Sequence, residues 1–181
     1  VRASPSGSCT LCVRVPTVRG MSAVREWWSR ARLRTPAEDL TVNGHAVHVY
    51  VDDATLLDRL EAYITEAWLH GQRTVVFAQH DRIKELRLRL ASWHMDEAIE
   101  AHDATWALDQ VLRRGMPSQE LFDNLLRHTL GRYEPGAVRL YSELVATLWR
   151  RGEVSAALSL QAMWHEHLLD NPVPRLSVYA R

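Results

Sequence analysis

The sequence predicts an α/β fold of three layers, in which helices cover both faces of a mainly parallel sheet of about five or more strands. From residue 45 onward, short β-branched and aromatic runs alternate with longer stretches whose apolar residues recur at helical spacing. The composition is globular, since 46% of the 181 residues are hydrophobic and 24% are charged. No stretch approaches the roughly 18 consecutive apolar residues of a membrane-spanning helix. We therefore expect a soluble, cytoplasmic protein.

The beginning of the chain differs in composition from the remainder. Residues 1–41 contain seven arginines and three acidic residues, whereas the remaining residues contain 15 basic and 19 acidic residues. We predict that residues 1–42 form a basic extension, disordered or partly helical, with Met21 as an alternative start, and that 43–181 form the domain. Cys9 and Cys12 are a C-x-x-C pair without a second pair, so no metal or redox role is expected. The net charge of zero argues against direct nucleic-acid binding.

The first half of the domain predicts two strand–helix units and a third strand. Residues 45–51 have the β-branched and aromatic pattern of a strand, and Asp52 and Asp53 can cap the helix that follows. That helix ends near Gly71, and 74–78 form the second strand. Asp81 is expected to cap the second helix. Residues 104–108 predict a weaker third strand.

The second half predicts three helices and two strands. One helix begins after Pro117 and Ser118 and ends at Gly131, and the fourth strand covers 138–141. Helical stretches follow at 143–151 and 154–169, and 176–179 predict the last strand. Since helices connect successive strands, right-handed crossovers and a parallel sheet are expected.

Polar residues follow two of these strands, where open α/β sheets bind their ligands. Asp52 and Asp53 follow the first strand, and Ser142 and Glu143 follow the fourth. The phosphate-binding loop, the Rossmann G-x-G-x-x-G, the G-x-S-x-G elbow and a zinc motif are all missing from the sequence. We therefore expect neither a cofactor nor ATP or NAD chemistry. The alternative is an enzyme that binds a divalent metal ion through Asp52, Asp53 and Glu143.

The histidines and tryptophans add two candidates for ligand contact. The histidine spacings do not fit a metal site, but His45 opens a strand that looks buried, where its ring must form a hydrogen bond. Trp149 and Trp164 either pack in the core or line an apolar ligand pocket.

Four segments, in order along residues 43–181, resemble the MEDS domain, the methanogen/methylotroph and DcmR sensory domain. Residues 45–53, followed by Leu56, Leu57 and Asp58, resemble its opening. Residues 138–149 resemble its segment R-hydrophobic-G-E-M-V-A-L-L-W, 158–164 its L-E-E-L-W helix, and 176–179 its terminal L-C-x-Y strand.

The resemblance implies a RecA/KaiC-like fold without nucleotide-binding motifs and a non-enzymatic sensory function. Such domains are proposed to detect small hydrocarbon-like molecules, and they are associated with kinases or transcription regulators, which would here be partners in trans. With Asp52 from the crevice, the expected ligand-binding residues are His45, Tyr50, Asp52, Glu143, Trp149 and Tyr179.

The sequence departs from the family pattern at three positions, where Ser142, Gln161 and Ser177 replace a Gly, a Glu and a Cys. The alternative to a ligand sensor is a regulator that acts on a signalling protein only through its surface.

Overall fold

The computed structural model describes residues 45–50, 52–171 and 173–180, with the side chains of 45–47, 49 and 180 excepted. Its strands are β1 (His45–Tyr50), β2 (Arg73–Ala78), β3 (Ile99–Asp103), β4 (Leu112–Arg113), β5 (Met116–Pro117), β6 (Val138–Ser142) and β7 (Arg175–Ala180). Five of them form a sheet in the order β1-β7-β6-β2-β3, and every neighbouring pair is parallel. The short strands β4 and β5 pair separately as an antiparallel hairpin.

Helices cover both faces of the sheet, as the sequence predicts. They are α1 (Asp53–Leu69), α2 (His80–Ala91), α3 (Ala104–Val111), α4 (Gln119–Thr129), α5 (Leu144–Arg150) and α6 (Val154–Asp170). Val76 and Tyr141 pack with α1 and α2 in one core, whereas Val75 and Leu140 pack with α3 to α6 in the other. Because successive strand residues point to opposite faces, each central strand contributes to both cores. The predicted three-layer α/β fold is confirmed.

The first helix begins where the sequence predicts. The Asp52 side chain accepts a hydrogen bond from the backbone N–H of Thr55 at 2.8 Å and so caps α1. The helix ends just before Gly71, whose φ of 73° is the left-handed conformation that glycine tolerates best. The second helix starts differently from the prediction, because Gln79 is its N-cap residue and Asp81 lies inside its first turn. There a carboxylate still interacts favourably with the helix dipole.

The third strand was misplaced by the sequence pattern. Residues 104–108 are not a strand but the beginning of α3, and the strand is the preceding segment, Ile99–Asp103. The Asp103 carboxylate accepts hydrogen bonds from the first turn of α3, and Ala104, Ala107 and Leu108 are buried at helical spacing. The mixed polar composition of β3 suits an edge strand, which is only partly buried.

The predicted basic extension at 1–42, with Met21 and the two cysteines, lies outside the described residues. Among the residues that are described, no helix has both the length and the apolar character needed to span a bilayer.

The sheet has a topological switch point between β2 and β6. The chain leaves β2 through α2 toward β3 at one edge, and leaves β6 through α5 and α6 toward β7 in the opposite direction. A crevice forms at the carboxyl ends of two such strands, because their connections diverge to opposite faces.

Candidate functional site

A buried ion pair fills the crevice at the switch point. Glu143 directly follows β6, and its side chain is 0% exposed. The Glu143 carboxylate accepts hydrogen bonds from Arg82 of α2 at 2.5 Å and from the Tyr141 hydroxyl at 2.7 Å. Arg82 also donates to Asp53 at 2.5 Å. We call these four side chains the switch-point network.

The charges in this network compensate one another. Burial and the neighbouring Glu143 carboxylate raise the pKa of Tyr141 well above its ordinary value, so the phenol stays protonated and acts as a donor. Burial by itself lowers the pKa of Arg82, but Glu143 outweighs this effect and the net pKa is raised. The Arg82 guanidinium also lies 5.7 Å from the centre of the Tyr50 ring. The network joins α1, α2 and β6 at one point, and the contact of Arg82 with Tyr50 adds β1.

The structure brings together two of the six predicted ligand-binding residues. Tyr50 and Glu143 both contact Arg82. Asp52 lies near the same edge, but its carboxylate is bonded to Thr55, whose hydrogen bonds lower the pKa of Asp52.

The other predicted residues lie apart from this pair. Trp149 is on α5 with 52% of its surface exposed, and Tyr179 is half-buried on β7. The side chain of His45 lies outside the described part of the chain. Its backbone is in register with Arg175 and thus with Leu140, three residues (about 10 Å) before Glu143 along the strand direction.

The predicted alternative, a divalent metal ion bound by Asp52, Asp53 and Glu143, would have to displace Arg82. The guanidinium of Arg82 lies between Asp53 and Glu143 and bonds both carboxylates, where a divalent ion would have to bind. Asp52 is engaged in capping α1. Within the described residues there is no group of three or more His, Cys, Asp or Glu side chains arranged for a metal ion.

A second unusual polar region lies between β7 and α6. Leu176 and Val178 belong to the core on the α1 and α2 side, so the alternate residues Arg175, Ser177 and Tyr179 face α6. Arg175 is 1% exposed, and its guanidinium carbon lies 4.3 Å from the centre of the Trp164 ring.

None of the three guanidinium nitrogens of Arg175 has a hydrogen-bond partner in the part of the chain that the structure describes. The indole nitrogen of Trp164 and the amide oxygen of Gln161 are also buried there without partners. Burial lowers the pKa of Arg175 to about 9. This cluster is exceptional, because buried polar groups in folded proteins are almost always hydrogen-bonded.

A cavity of about 590 Å³ opens beside this region, at the amino ends of the strands. Four leucine and valine side chains line it. Leu126 and Leu130 lie in and just after α4, Val138 begins β6, and Val173 precedes β7. Charged and polar groups at the mouth include Asp123, Arg127, His167 and Asp170. None of the six predicted ligand-binding residues lines it.

His167 connects the cavity wall with the buried aromatic cluster. Its ring lies edge-on to Trp164 at 6.4 Å and to Phe122 at 6.2 Å, measured between ring centres. Burial lowers the pKa of His167, although Asp123 and Asp170 act in the opposite direction. The imidazole is therefore mainly neutral at pH 7.

Sequence reasoning missed Arg82, Arg175 and the cavity. Arg82 lies four residues before the buried Leu86, so helical spacing placed it on the inward face of α2. The alternation of Arg175, Ser177 and Tyr179 with apolar residues is typical of a strand whose polar side faces water. Only the packing of α6 shows that this side is buried.

We compared the chain with protein-family models, with curated proteins and with solved structures, and none of the three comparisons found a match.

Proposed function

We propose that this chain is a non-enzymatic ligand-binding sensory domain that signals through contact with a partner protein. The observation that carries the proposal is the cavity of about 590 Å³ beside α4 and α6. Small-molecule sites typically measure about 300–1,000 Å³ and combine apolar walls with a few polar groups. The cavity has that composition, with Leu126, Leu130 and Val138 inside and charged groups at its mouth. A small organic molecule with an apolar body fits it.

The switch-point network supports a non-enzymatic role. Catalytic acids and bases need a proton or a lone pair available to the substrate. The reactive groups of this crevice, Glu143 and Tyr141, are instead bonded to each other and to Arg82, and all three side chains are buried. Such a network holds α2 against β6, and its one exposed carboxylate, that of Asp53, is bonded to Arg82. The sequence resemblance to MEDS domains favours the same function.

Ligand binding can reach a partner through the helices that form the cavity. His167 and Asp170 come from the last turn of α6, and Asp123 and Leu126 come from α4. A ligand that contacts both helices shifts the population toward the arrangement in which it binds best. A signalling protein that contacts this side of the domain would detect that shift.

The experiment is a thermal-shift and calorimetric screen of the full chain against small alcohols, ketones, aromatic compounds and organic acids. A binder present at about 100 times its Kd stabilises the folded state by about 2.7 kcal/mol and raises Tm by several degrees. The variant Leu130→Trp fills the cavity and should abolish the shift. Leu88→Trp adds the same volume at an exposed position of α2 and should leave it unchanged.

The proposal fails if no compound in the panel raises Tm. It also fails if Leu130→Trp, folded, binds as tightly as the unaltered chain does.

A further inference from the structure

We infer that Arg175 is the receptor for the carboxylate of an organic acid whose apolar body occupies the cavity beside α4 and α6. This inference rests on the proposed function and specifies its ligand class. It starts from the one buried arginine side chain for which the described residues supply no hydrogen-bond acceptor at any nitrogen.

The guanidinium of Arg175 is a positive charge that no carboxylate of the described residues compensates. Arginine in proteins stays protonated at neutral pH, and even with its pKa lowered to about 9 by burial this one remains mostly charged at pH 7. The face of Trp164, 4.3 Å away, attracts the cation but accepts none of its five N–H groups. Folded proteins pair their buried charges, because an isolated charge in the interior is strongly unfavourable. Within the described part of the chain, Arg175 therefore has no anionic partner.

No carboxylate of the described residues bonds to Arg175. Its neighbour Trp164 is neutral, and burial raises the pKa of the nearby Tyr179, which keeps that phenol protonated. Trp164 contributes one further buried N–H without a partner. A carboxylate matches this set, since its two oxygens accept from the planar guanidinium in parallel hydrogen bonds.

The cavity lies near Arg175, toward the amino ends of the strands. Arg175 is in register with Leu140, and both side chains face α6. Val138, which lines the cavity, is two residues before Leu140 on the same face, a separation of about 7 Å along the strand. Arg175 and Trp164 do not line the cavity, but His167 does, and its ring lies edge-on to Trp164 at 6.4 Å between ring centres. The inference therefore includes a movement of the Arg175 guanidinium from the face of Trp164 toward the cavity when the ligand binds.

The charges at the mouth favour an organic acid over a free inorganic anion. Three acidic residues line the cavity, Asp123, Glu134 and Asp170, against the single arginine Arg127, so the net charge of the lining disfavours small anions. An apolar body gains stabilisation by leaving water and carries its carboxylate past the mouth toward Arg175. Because His167 is mainly neutral, it does not compete with Arg175 for that carboxylate.

The test measures Kd at pH 7.5 for 4-phenylbutyrate and octanoate against their uncharged amides, using the full chain. We expect each carboxylate to bind about tenfold or more tightly than its amide. Arg175→Met should remove this preference and leave amide binding unchanged. Without ligand, the same variant should melt several degrees higher, because an apolar side chain of similar length replaces an uncompensated buried charge. Arg87→Met, at an exposed position of α2, is the matched control and should change neither property.

Equal binding of acids and amides in the unaltered chain overturns the inference and leaves the proposed function standing. Retention of the preference by Arg175→Met also overturns it. Failure of all four compounds, together with a negative general screen, removes both proposals. If Arg175→Met does not fold, the difference between acid and amide in the unaltered chain decides the question.

Discussion

Removing the Arg82 side chain should destabilise the protein far more than removing any exposed arginine. In Arg82→Met the aliphatic stem remains, but the Glu143 carboxylate, 0% exposed, loses its counter-charge at 2.5 Å. Breaking a buried ion pair on one side costs about 3–5 kcal/mol, since the remaining charge stays desolvated. The pair with Asp53 adds less than about 1 kcal/mol, because Asp53 is 73% exposed and solvent screens its charge.

The assay is urea denaturation followed by tryptophan fluorescence, with Arg87→Met as the control from an exposed position of the same helix. The control should change the free energy of unfolding by less than about 0.5 kcal/mol. The double variant Arg82→Met/Glu143→Gln removes both charges and keeps an acceptor for the Tyr141 hydroxyl. It should recover more than half of the loss, which a merely additive effect would not do.

Two results would refute this reasoning. If Arg82→Met costs no more than Arg87→Met, the ion pair with Glu143 contributes nothing to the stability of the fold. If the double variant is as unstable as Arg82→Met, the loss arises from packing around Arg82 and not from the uncompensated carboxylate.

Two further predictions concern helix capping and pH. Asp103→Ala should lower the free energy of unfolding by about 1 kcal/mol, because the first turn of α3 loses its capping carboxylate, while Asp109→Ala on the same helix should have little effect in the same urea assay. Burial lowers the pKa of His48 and His167, so the unfolded chain binds more protons than the folded one, and stability should fall as the pH drops below about 6.5. Urea midpoints at pH 7 and pH 5 should differ less in His167→Gln than in the exposed-site control His165→Gln, and equal differences would contradict the assignment.

Local patterns predicted most of the elements but not the start of α3. The apolar spacing in α1 and the Asp52 cap are interactions within a few residues, so they are legible in the sequence. Residues 104–108 are apolar and short, and either a strand or a helix fits such a run. The Asp103 cap and the pairing of Ile99–Asp103 with β2 decide the outcome.

The sequence likewise indicated only some of the residues that lie together at the switch point. The rule that ligands bind at the carboxyl ends of strands pointed to Asp53 and Glu143, the resemblance pointed to Tyr50, and all three residues contact Arg82. Arg82, which joins them, is 61 residues from Glu143 in the chain. Nothing in its local sequence shows that its guanidinium pairs with a carboxylate so far away in the chain.

The sequence by itself determined the three-layer α/β class and most of the strands and helices, because periodicity and capping depend on neighbours along the chain, but it did not determine β3, α3 or the hairpin of β4 and β5. Only the tertiary structure decided that the switch-point crevice is filled by an ion pair, that the polar side of β7 is buried against α6, and that a cavity opens at the amino ends of the strands. These features depend on which faces meet after the chain has folded. The sequence does not show that Arg175 is buried; it is buried only because Trp164 of α6 packs against it in the folded chain.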